Sequence, residues 1–366
     1  MTVGQPPETS ISRSVLVATA IIVAIILLVV LIYFTIDVIL LIFSAALIAI
    51  FLRGLAMPVG RYLRIGDVWS VLLVTLLLIV ILAGGITLLA PSVNEQIQAL
   101  RVQLPQTAQN AADYLSHYTW GQTILSQLPS VEEVVAKIDA GSLLTRVGGF
   151  FSSTLGVVGN FLIVVLLAIY FASEPRLYSD GLAKLFPIPH RPRAQQVFAA
   201  IGETLQWWLI GKVASMIFIG LLTWIGLSII GVPMALTLGL IAGLLSFIPN
   251  FGPIISAVPA VLFAFIISPI SALYAAGLFI GVQIIESNLV TPFIERRTVE
   301  LPPALTVVFQ LGLAVTIGGL GLVLATPLLA VVVVLVQMVY LEDILGDRAT
   351  AEAIGQSEPA STVEEE

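Results

Sequence analysis

The sequence is dominated by long apolar runs that contain almost no charged residue. Each run is close to the roughly 20 residues that a helix needs to cross a bilayer. The continuous runs cover about residues 15–34, 38–57, 68–90, 155–172 and 213–230. Only 10% of the chain is charged, against about 25% in soluble domains, which is too little to cover a water-facing surface. The sequence therefore predicts an all-α polytopic membrane protein.

Two further apolar segments, 235–267 and 303–341, are interrupted by helix-breaking residues. The breaks contain Pro249, Gly252, Pro253 and Pro259 in the first segment, and Gly318, Gly319, Gly321 and Pro327 in the second. Both arms of the first segment, and the arm at 305–316 before the second break, are too short to cross a bilayer alone. We therefore predict two re-entrant helical hairpins, one from each membrane face as in inverted-repeat transporters, and about eight membrane segments in all. Backbone freed at membrane depth needs protein or water as a partner, so a cavity is expected there.

Basic residues in the short loops predict the orientation, because they collect on the cytoplasmic side. Arginines follow the second run, arginines and a lysine follow the fourth, and the link at Asp37 has none. Arg296 and Arg297 reach the cytoplasm only if 235–267 enters and leaves on one face. The predicted divisions are a cytoplasmic tail at 1–14, three transmembrane helices within 15–90, an extracytoplasmic helical insert at 91–150, a fourth helix at 151–173, a cytoplasmic amphipathic linker at 174–210, a transport core at 211–342 and an acidic disordered tail at 343–366.

The segment QIIESNLVTPFIERR (283–297) carries the clearest candidate site. Gln283, Glu286 and Asn288 place polar groups at the end of an apolar helix. A carboxylate near hydrocarbon is costly unless it is protonated, paired or wetted, so Glu286 is a candidate for proton transfer or solute binding. The alternative is an interfacial Glu286 paired with a nearby basic residue, among which is Lys212.

Two other polar residues have alternative interpretations. Lys212, at the start of the fifth run, is explained by a side chain that reaches the cytoplasmic headgroups or by a place in the pathway. Asn250, at the predicted hairpin tip, either satisfies turn backbone or lines the pathway. Pro292 belongs with the prolines and glycines above as a hinge candidate.

Several chemistries are not expected from this sequence. It has no cysteine and two histidines, and it lacks the GxxxxGK[ST], HExxH and GxSxG patterns of nucleotide, metalloprotease and serine-hydrolase sites. We predict no metal, no cofactor and no enzymatic activity. No basic run indicates nucleic acid, and the lipid bilayer is the expected surrounding.

The stretches FIPNFGPIISAVPA, QIIESNLVTPFIERRTVELPP and GGLGLVLATPLLAV together resemble the bacterial autoinducer-2 exporter (AI-2E) family. Its typical elements fall on Ile248, Pro249, Gly252, Pro253, Pro259 and Ala260, on Gln283, Ile285, Glu286, Asn288 and Pro292, and on Gly321, Ala325 and Pro327. The resemblance implies a homo-oligomeric transporter of the cytoplasmic membrane, with a pentamer as the expected assembly. Members are associated with export of a small furanosyl signal and some with sodium–proton exchange. Lys212 stands where the family commonly has Gln, and Ser287 and Glu295 where Gly is frequent, which leaves the substrate open.

Three functions are carried forward from the sequence. The first is a secondary transporter that exports a small polar organic solute such as an autoinducer-2-like molecule. The second is a monovalent cation–proton antiporter in which Glu286 alternates between Na⁺ or Li⁺ and a proton. The third is a non-transporting scaffold whose 91–150 region binds a partner.

Overall fold

The computed structural model describes residues 9–85, 154–292 and 301–346, with isolated positions at 87, 91, 95, 98 and 109. Side chains are described from residue 35 onward within these ranges, apart from the first residues of the 154–292 segment. Every regular element in the described part is a helix. The predicted insert at 91–150, apart from the isolated positions, lies outside the described residues, as do Arg296, Arg297 and the tail after residue 346.

The described chain forms ten α-helices. They are α1 Thr9–Leu63, α2 Asp67–Gly85, α3 Thr154–Ser173, α4 Pro175–Ala183, α5 Arg191–Ile230, α6 Ala235–Leu245, α7 Phe251–Ile267, α8 Pro269–Ile285, α9 Pro303–Ile317 and α10 Gly319–Leu335. A 3₁₀ turn, Ile188–His190, precedes α5. Helices α8 and α10 continue as π-helix over Glu286–Val290 and Val336–Ile344.

Within the described residues, five helical stretches are long and apolar enough to cross a membrane. They are Thr35–Leu63, Asp67–Gly85, Ile188–Ile230, Pro269–Val290 and Gly319–Ile344. Helices α3 and α4 together give a sixth candidate, bent by 86° between them. Helices α6, α7 and α9 are apolar but shorter. The prediction of an all-α polytopic membrane protein is confirmed.

The first two apolar runs form one helix rather than two. Helix α1 continues for 55 residues from Thr9 to Leu63, through the position where a link was expected at Asp37. No glycine or proline occurs before Gly54 in this helix, so nothing breaks the backbone hydrogen bonding. Asp37 is exposed on the helix surface, where an acidic side chain is compatible with a continuous helix.

Helix α5 likewise joins two regions that were predicted to be separate. It runs for 40 residues, so the second half of the predicted linker at 174–210 and the fifth apolar run are one rod. Arg193, near its start, forms ion pairs with Glu342 and Asp343 and donates to the Met338 carbonyl at 2.8 Å. The end of α10 is thereby fixed to α5, and the helix continues past the predicted start of the tail at 343.

The segment 235–267 forms two helices, α6 and α7, that pack together. Leu238 of α6 and Phe263 of α7 lie in one buried apolar cluster, which also contains Leu227 at the end of α5. The turn between the helices is tight, because the Gly252 amide donates to the Ile248 carbonyl at 2.9 Å. A Cβ atom on Gly252 would overlap the backbone carbonyl of residue 245, so this turn requires glycine.

The segment 303–341 folds back at a single glycine. Gly318 has φ +85° and stands between α9 and α10, a conformation that glycine adopts without strain. A Cβ atom on Gly321 would overlap the Leu313 carbonyl, so the arms approach closely at the turn. Gln310 and Thr326, each eight residues from Gly318 by sequence number, are in hydrogen-bond contact. Helices α9 and α10 therefore form an antiparallel hairpin.

Candidate functional site

A cavity of about 450 Å³ lies where α5, the end of α8 and both hairpins meet. It combines apolar walls with a set of polar side chains from segments far apart in the sequence. Its lining is Trp208, Lys212, Ser215, Ile219, Ser246, Pro249, Asn250, Pro253, Gln283, Glu286, Ser287, Thr291, Leu301, Pro303, Thr306 and Thr326. Four of the five predicted pathway residues line it: Lys212, Asn250, Gln283 and Glu286. This volume is within the range of small-molecule pockets.

Glu286 begins the π-helical turn that continues α8. Its Oε1 accepts a hydrogen bond from Ser215 Oγ of α5 at 3.1 Å, and its Oε2 accepts one from Gln283 Nε2 at 3.1 Å. The carboxylate is partly buried, and these donors supply part of the solvation that it loses. π-Helical turns inside α-helices are frequent at functional sites. The structure thus holds one carboxylate in a fixed position on the cavity wall.

Lys212 lies on α5, close to Ser215 in the sequence, and is only 9% exposed. A lysine whose ammonium reached the lipid headgroups would be exposed on the surface of the chain. Lys212 instead lines the cavity, as Glu286 does. Among the described residues, the lining of the cavity therefore contains one lysine and one glutamate side chain.

The tip of the first hairpin forms one end of the cavity through Pro249, Asn250 and Pro253. Asn250 has φ +66° and ψ −51°, close to a γ-turn, which the Phe251 amide closes by donating to the Pro249 carbonyl at 2.8 Å. Its side chain makes no capping hydrogen bond to the start of α7 and is exposed. The backbone dihedral of Asn250 shapes the turn, while its side chain lines the cavity.

Gln310 joins the two hairpins directly behind this wall. It is fully buried, and its Nε2 donates to the Pro249 carbonyl at 3.2 Å and to Thr326 Oγ1 at 3.3 Å. Its Oε1 has no hydrogen-bond partner among the described residues. The sequence prediction did not include Gln310, although a lone amide in the apolar run LTVVFQLGLAV was a signal that could have identified it.

A comparison with known protein families identifies the family of this chain. The model of the AI-2E family transporter matches residues 21–340. The chain belongs to the AI-2E family. The resemblance that the sequence motifs indicated is confirmed, and the protein is a multi-pass integral membrane protein of a transporter family.

The chain matches relatives from bacteria over most of their length. YueF of Bacillus subtilis, a predicted transport protein by name, is 28% identical over 303 residues, which cover 80% of this chain and 82% of YueF. YrrI of the same organism, also a predicted transport protein, is 27% identical, with coverage of 81% and 86%. The AI-2 transport protein TqsA of Escherichia coli K12 is 22% identical over 294 residues, with coverage of 78% and 83%.

The residues of the AI-2E motif around Glu286 do not all face the cavity. Gln283 and Glu286 face the cavity, but Asn288 is exposed and its Nδ2 donates to the Ile284 carbonyl at 2.8 Å. Asn288 is not a lining residue, which differs from its predicted place in the pathway; Ser287 lines the cavity instead. On a helix, side chains two positions apart point to different faces, which explains why Glu286 and Asn288 do not share the cavity.

Some of the predicted hinge residues line the cavity of this AI-2E family member, and the others shape its helices and turns. Pro249 and Pro253 line the cavity, whereas Gly252 permits the first turn. Pro259 lies inside α7, Pro327 is buried inside α10, and Pro292 is exposed at the end of the α8 extension. Gly318 forms the second turn, and Gly319 and Gly321 lie at the start of α10; none of the three lines the cavity.

The hydroxyl groups of the AI-2E cavity were missed by the sequence prediction. Ser215, Ser246, Thr306 and Thr326 all line it and are buried. Single serines and threonines in apolar helices give no signal of their own, because they commonly donate to a carbonyl of the preceding turn. Within the described ranges, no group of three or more His, Cys, Asp or Glu residues is arranged to hold a metal ion.

Proposed function

We propose that this AI-2E family member is a secondary transporter that exports a small polar organic solute through the cavity between its two hairpins. The observation that carries the proposal is the meeting of both hairpins, α5 and Glu286 around one polar cavity. We place the protein in the cytoplasmic membrane with its N-terminus in the cytoplasm, on the distribution of Lys and Arg, and expect a homo-oligomer.

The broken backbone of the first hairpin supports a solute pathway. Irregular backbone at membrane depth is tolerated where it is buried in protein or borders a water-filled cavity. Pro249 and Asn250 border the cavity at the break. Transporters with inverted repeats use discontinuous helices at their binding sites in this way.

The charges of the cavity favour an organic solute over exchange of Na⁺ or Li⁺ for protons. A monovalent cation prefers a site of several oxygen ligands with no nearby positive charge. Here, among the described residues, the carboxylate of Glu286 shares the cavity with Lys212, whose charge repels a bare cation. The name of the relative TqsA, an AI-2 transport protein, supports a solute of the size of a small signalling molecule.

The test is a comparison of the solutes released by cells that contain the wild type, the Glu286→Gln variant or no transporter. We expect release of at least one small polar solute with the wild type, and a decrease of about tenfold with Glu286→Gln, since a charge-assisted hydrogen bond contributes roughly 1.5–3 kcal/mol. Glu203→Gln is the matched control, because Glu203 is exposed on α5 outside the cavity.

Equal solute release by the wild type and by Glu286→Gln would remove Glu286 from the proposed pathway. Proton movement in proteoliposomes on addition of Na⁺ or Li⁺, with no organic solute released, would favour the antiporter instead. Each outcome also requires that the variants reach the membrane at the level of the wild type.

A further inference from the structure

We infer that Lys212 forms an anion subsite in the cavity, and that the transported solute is a small hydroxylated organic anion. The inference rests on the proposed function and specifies its substrate class. Lys212 is 9% exposed and lines the cavity. Within the described part of the chain its ammonium has neither a hydrogen bond nor an ion pair.

Neutralisation of Glu286 does not explain the place of Lys212. A lysine whose role was to balance this carboxylate would form an ion pair with it. Among the described residues Glu286 instead accepts hydrogen bonds from Ser215 and Gln283, and no ion pair joins it to Lys212. The two charges therefore occupy the same cavity as separate binding groups.

The ammonium of Lys212 is a hydrogen-bond donor of the cavity that no described acceptor uses. The hydroxyls of Ser215, Ser246 and Thr306 already donate to Glu286 and to the carbonyls of Gly243 and Pro302, respectively. The ammonium of Lys212 has three N–H donors and no acceptor. A solute that satisfies this cavity must bring acceptor oxygens to Lys212.

An anionic oxygen group fits Lys212 better than a neutral one. Hydrogen bonds between two charged groups are about twice as strong as neutral ones, and an ammonium recognises carboxylate or phosphate as a compact point charge. Glu286 repels a second anionic group near itself, so the anionic end of the solute belongs at Lys212. The carboxylate of Glu286 only accepts hydrogen bonds and retains free lone pairs, so hydroxyls of the solute belong there.

The experiment measures binding of matched anionic and neutral probes to the purified full-length chain. The pairs are gluconate with sorbitol and glycerol 3-phosphate with glycerol, which differ in charge and little in their hydroxyls. We expect the wild type to bind at least one anionic probe about tenfold more tightly than its neutral partner, from the strength of one charge-assisted hydrogen bond. If only gluconate is bound more tightly than its neutral partner, the anionic group of the solute is a carboxylate. If only glycerol 3-phosphate is, the anionic group is a phosphate.

The variants connect this preference to Lys212. Lys212→Met keeps the length of the side chain and should abolish the preference, whereas Lys212→Arg keeps the charge and should retain most of it. Lys184→Met is the matched control, since Lys184 is an exposed lysine outside the cavity. The wild-type comparison needs no variant and so stands even if Lys212→Met does not fold.

Two results would overturn the inference. One is a wild type that prefers neither anionic probe over its neutral partner, and the other is a Lys212→Met variant with the wild-type preference. If cells release neutral solutes in a way that depends on Glu286, and no anionic probe is preferred, the anion subsite is wrong but the transporter function is supported. If anion binding depends on Lys212 but cells release no solute, the anion subsite is supported and the transporter function is wrong.

Discussion

Replacement of Gln310 by Met tests whether the link between the hairpins serves transport or only packing. Gln310 donates to Pro249 and Thr326 at 3.2 and 3.3 Å, and both of these residues line the cavity. Methionine has a similar length and fills the same buried space, but it cannot donate. The substitution thus removes the two hydrogen bonds and leaves the packing of α9 nearly unchanged.

The effect on stability should be small because two terms oppose each other. Loss of two long hydrogen bonds costs about 1–2 kcal/mol, at the lower end of the usual range of 0.5–1.5 kcal/mol each. The Oε1 of Gln310 is buried without a partner, and its removal relieves a desolvation penalty of about 1–3 kcal/mol. The Pro249 carbonyl keeps its hydrogen bond from the Phe251 amide at 2.8 Å. We expect a change of no more than about 4 °C in the unfolding midpoint in detergent.

The effect on transport should be larger. Without Gln310 the tip of the first hairpin is no longer held to α9, so the cavity wall formed by Pro249 and Asn250 loses its fixed position. About 1–2 kcal/mol of positioning corresponds to a five- to thirtyfold decrease in transport efficiency. The assay is the initial rate of solute release at several solute concentrations, which separates apparent affinity from maximal rate.

The matched control is Gln337→Met. Gln337 is also a buried glutamine with an unpartnered amide nitrogen, but it lies in the π-helical extension of α10, outside the cavity lining. This variant should leave transport unchanged. Unchanged transport in Gln310→Met as well, or a loss of stability far beyond 4 °C, would refute the positioning role and assign Gln310 to packing.

Two further predictions concern the fold that supports the cavity. Gly252→Ala should lower the yield of folded protein and the unfolding midpoint, because the added Cβ would overlap backbone of α6. The control is Gly277→Ala on α8, whose added Cβ meets nothing within 4 Å, so this variant should fold normally. A wild-type melting curve for Gly252→Ala would contradict the tight turn. Arg193→Gln should speed proteolysis at the end of α10, where Arg193 now forms two ion pairs, and high salt should weaken the same contact in the wild type. Arg176→Gln, at an exposed residue of α4, is the control, and equal proteolysis of both variants would exclude the contribution of Arg193.

The features that the sequence alone determined are those that depend on neighbouring residues. Apolar runs near bilayer length predict membrane helices, and the clusters of proline and glycine at 249–253 and 318–321 disfavour a continuous helix. Glu286 was identifiable because a carboxylate in an apolar helix is costly without a special environment. The same local reasoning failed at Asp37, where a polar residue suggested a link but the backbone remained helical.

Only the tertiary structure decided which polar side chains share the cavity. Lys212, Asn250 and Glu286 come from separate elements, and their meeting depends on how α5, α8 and the first hairpin pack. Asn288 lies two residues from Glu286, yet it contacts its own helix, whereas Gln310, far away in the sequence, joins the hairpins. Apolar composition specifies that a helix enters lipid, but it does not specify which side of the helix faces the cavity. The side that faces the cavity is fixed by contacts between elements distant in the sequence, and these contacts are visible only in the folded protein.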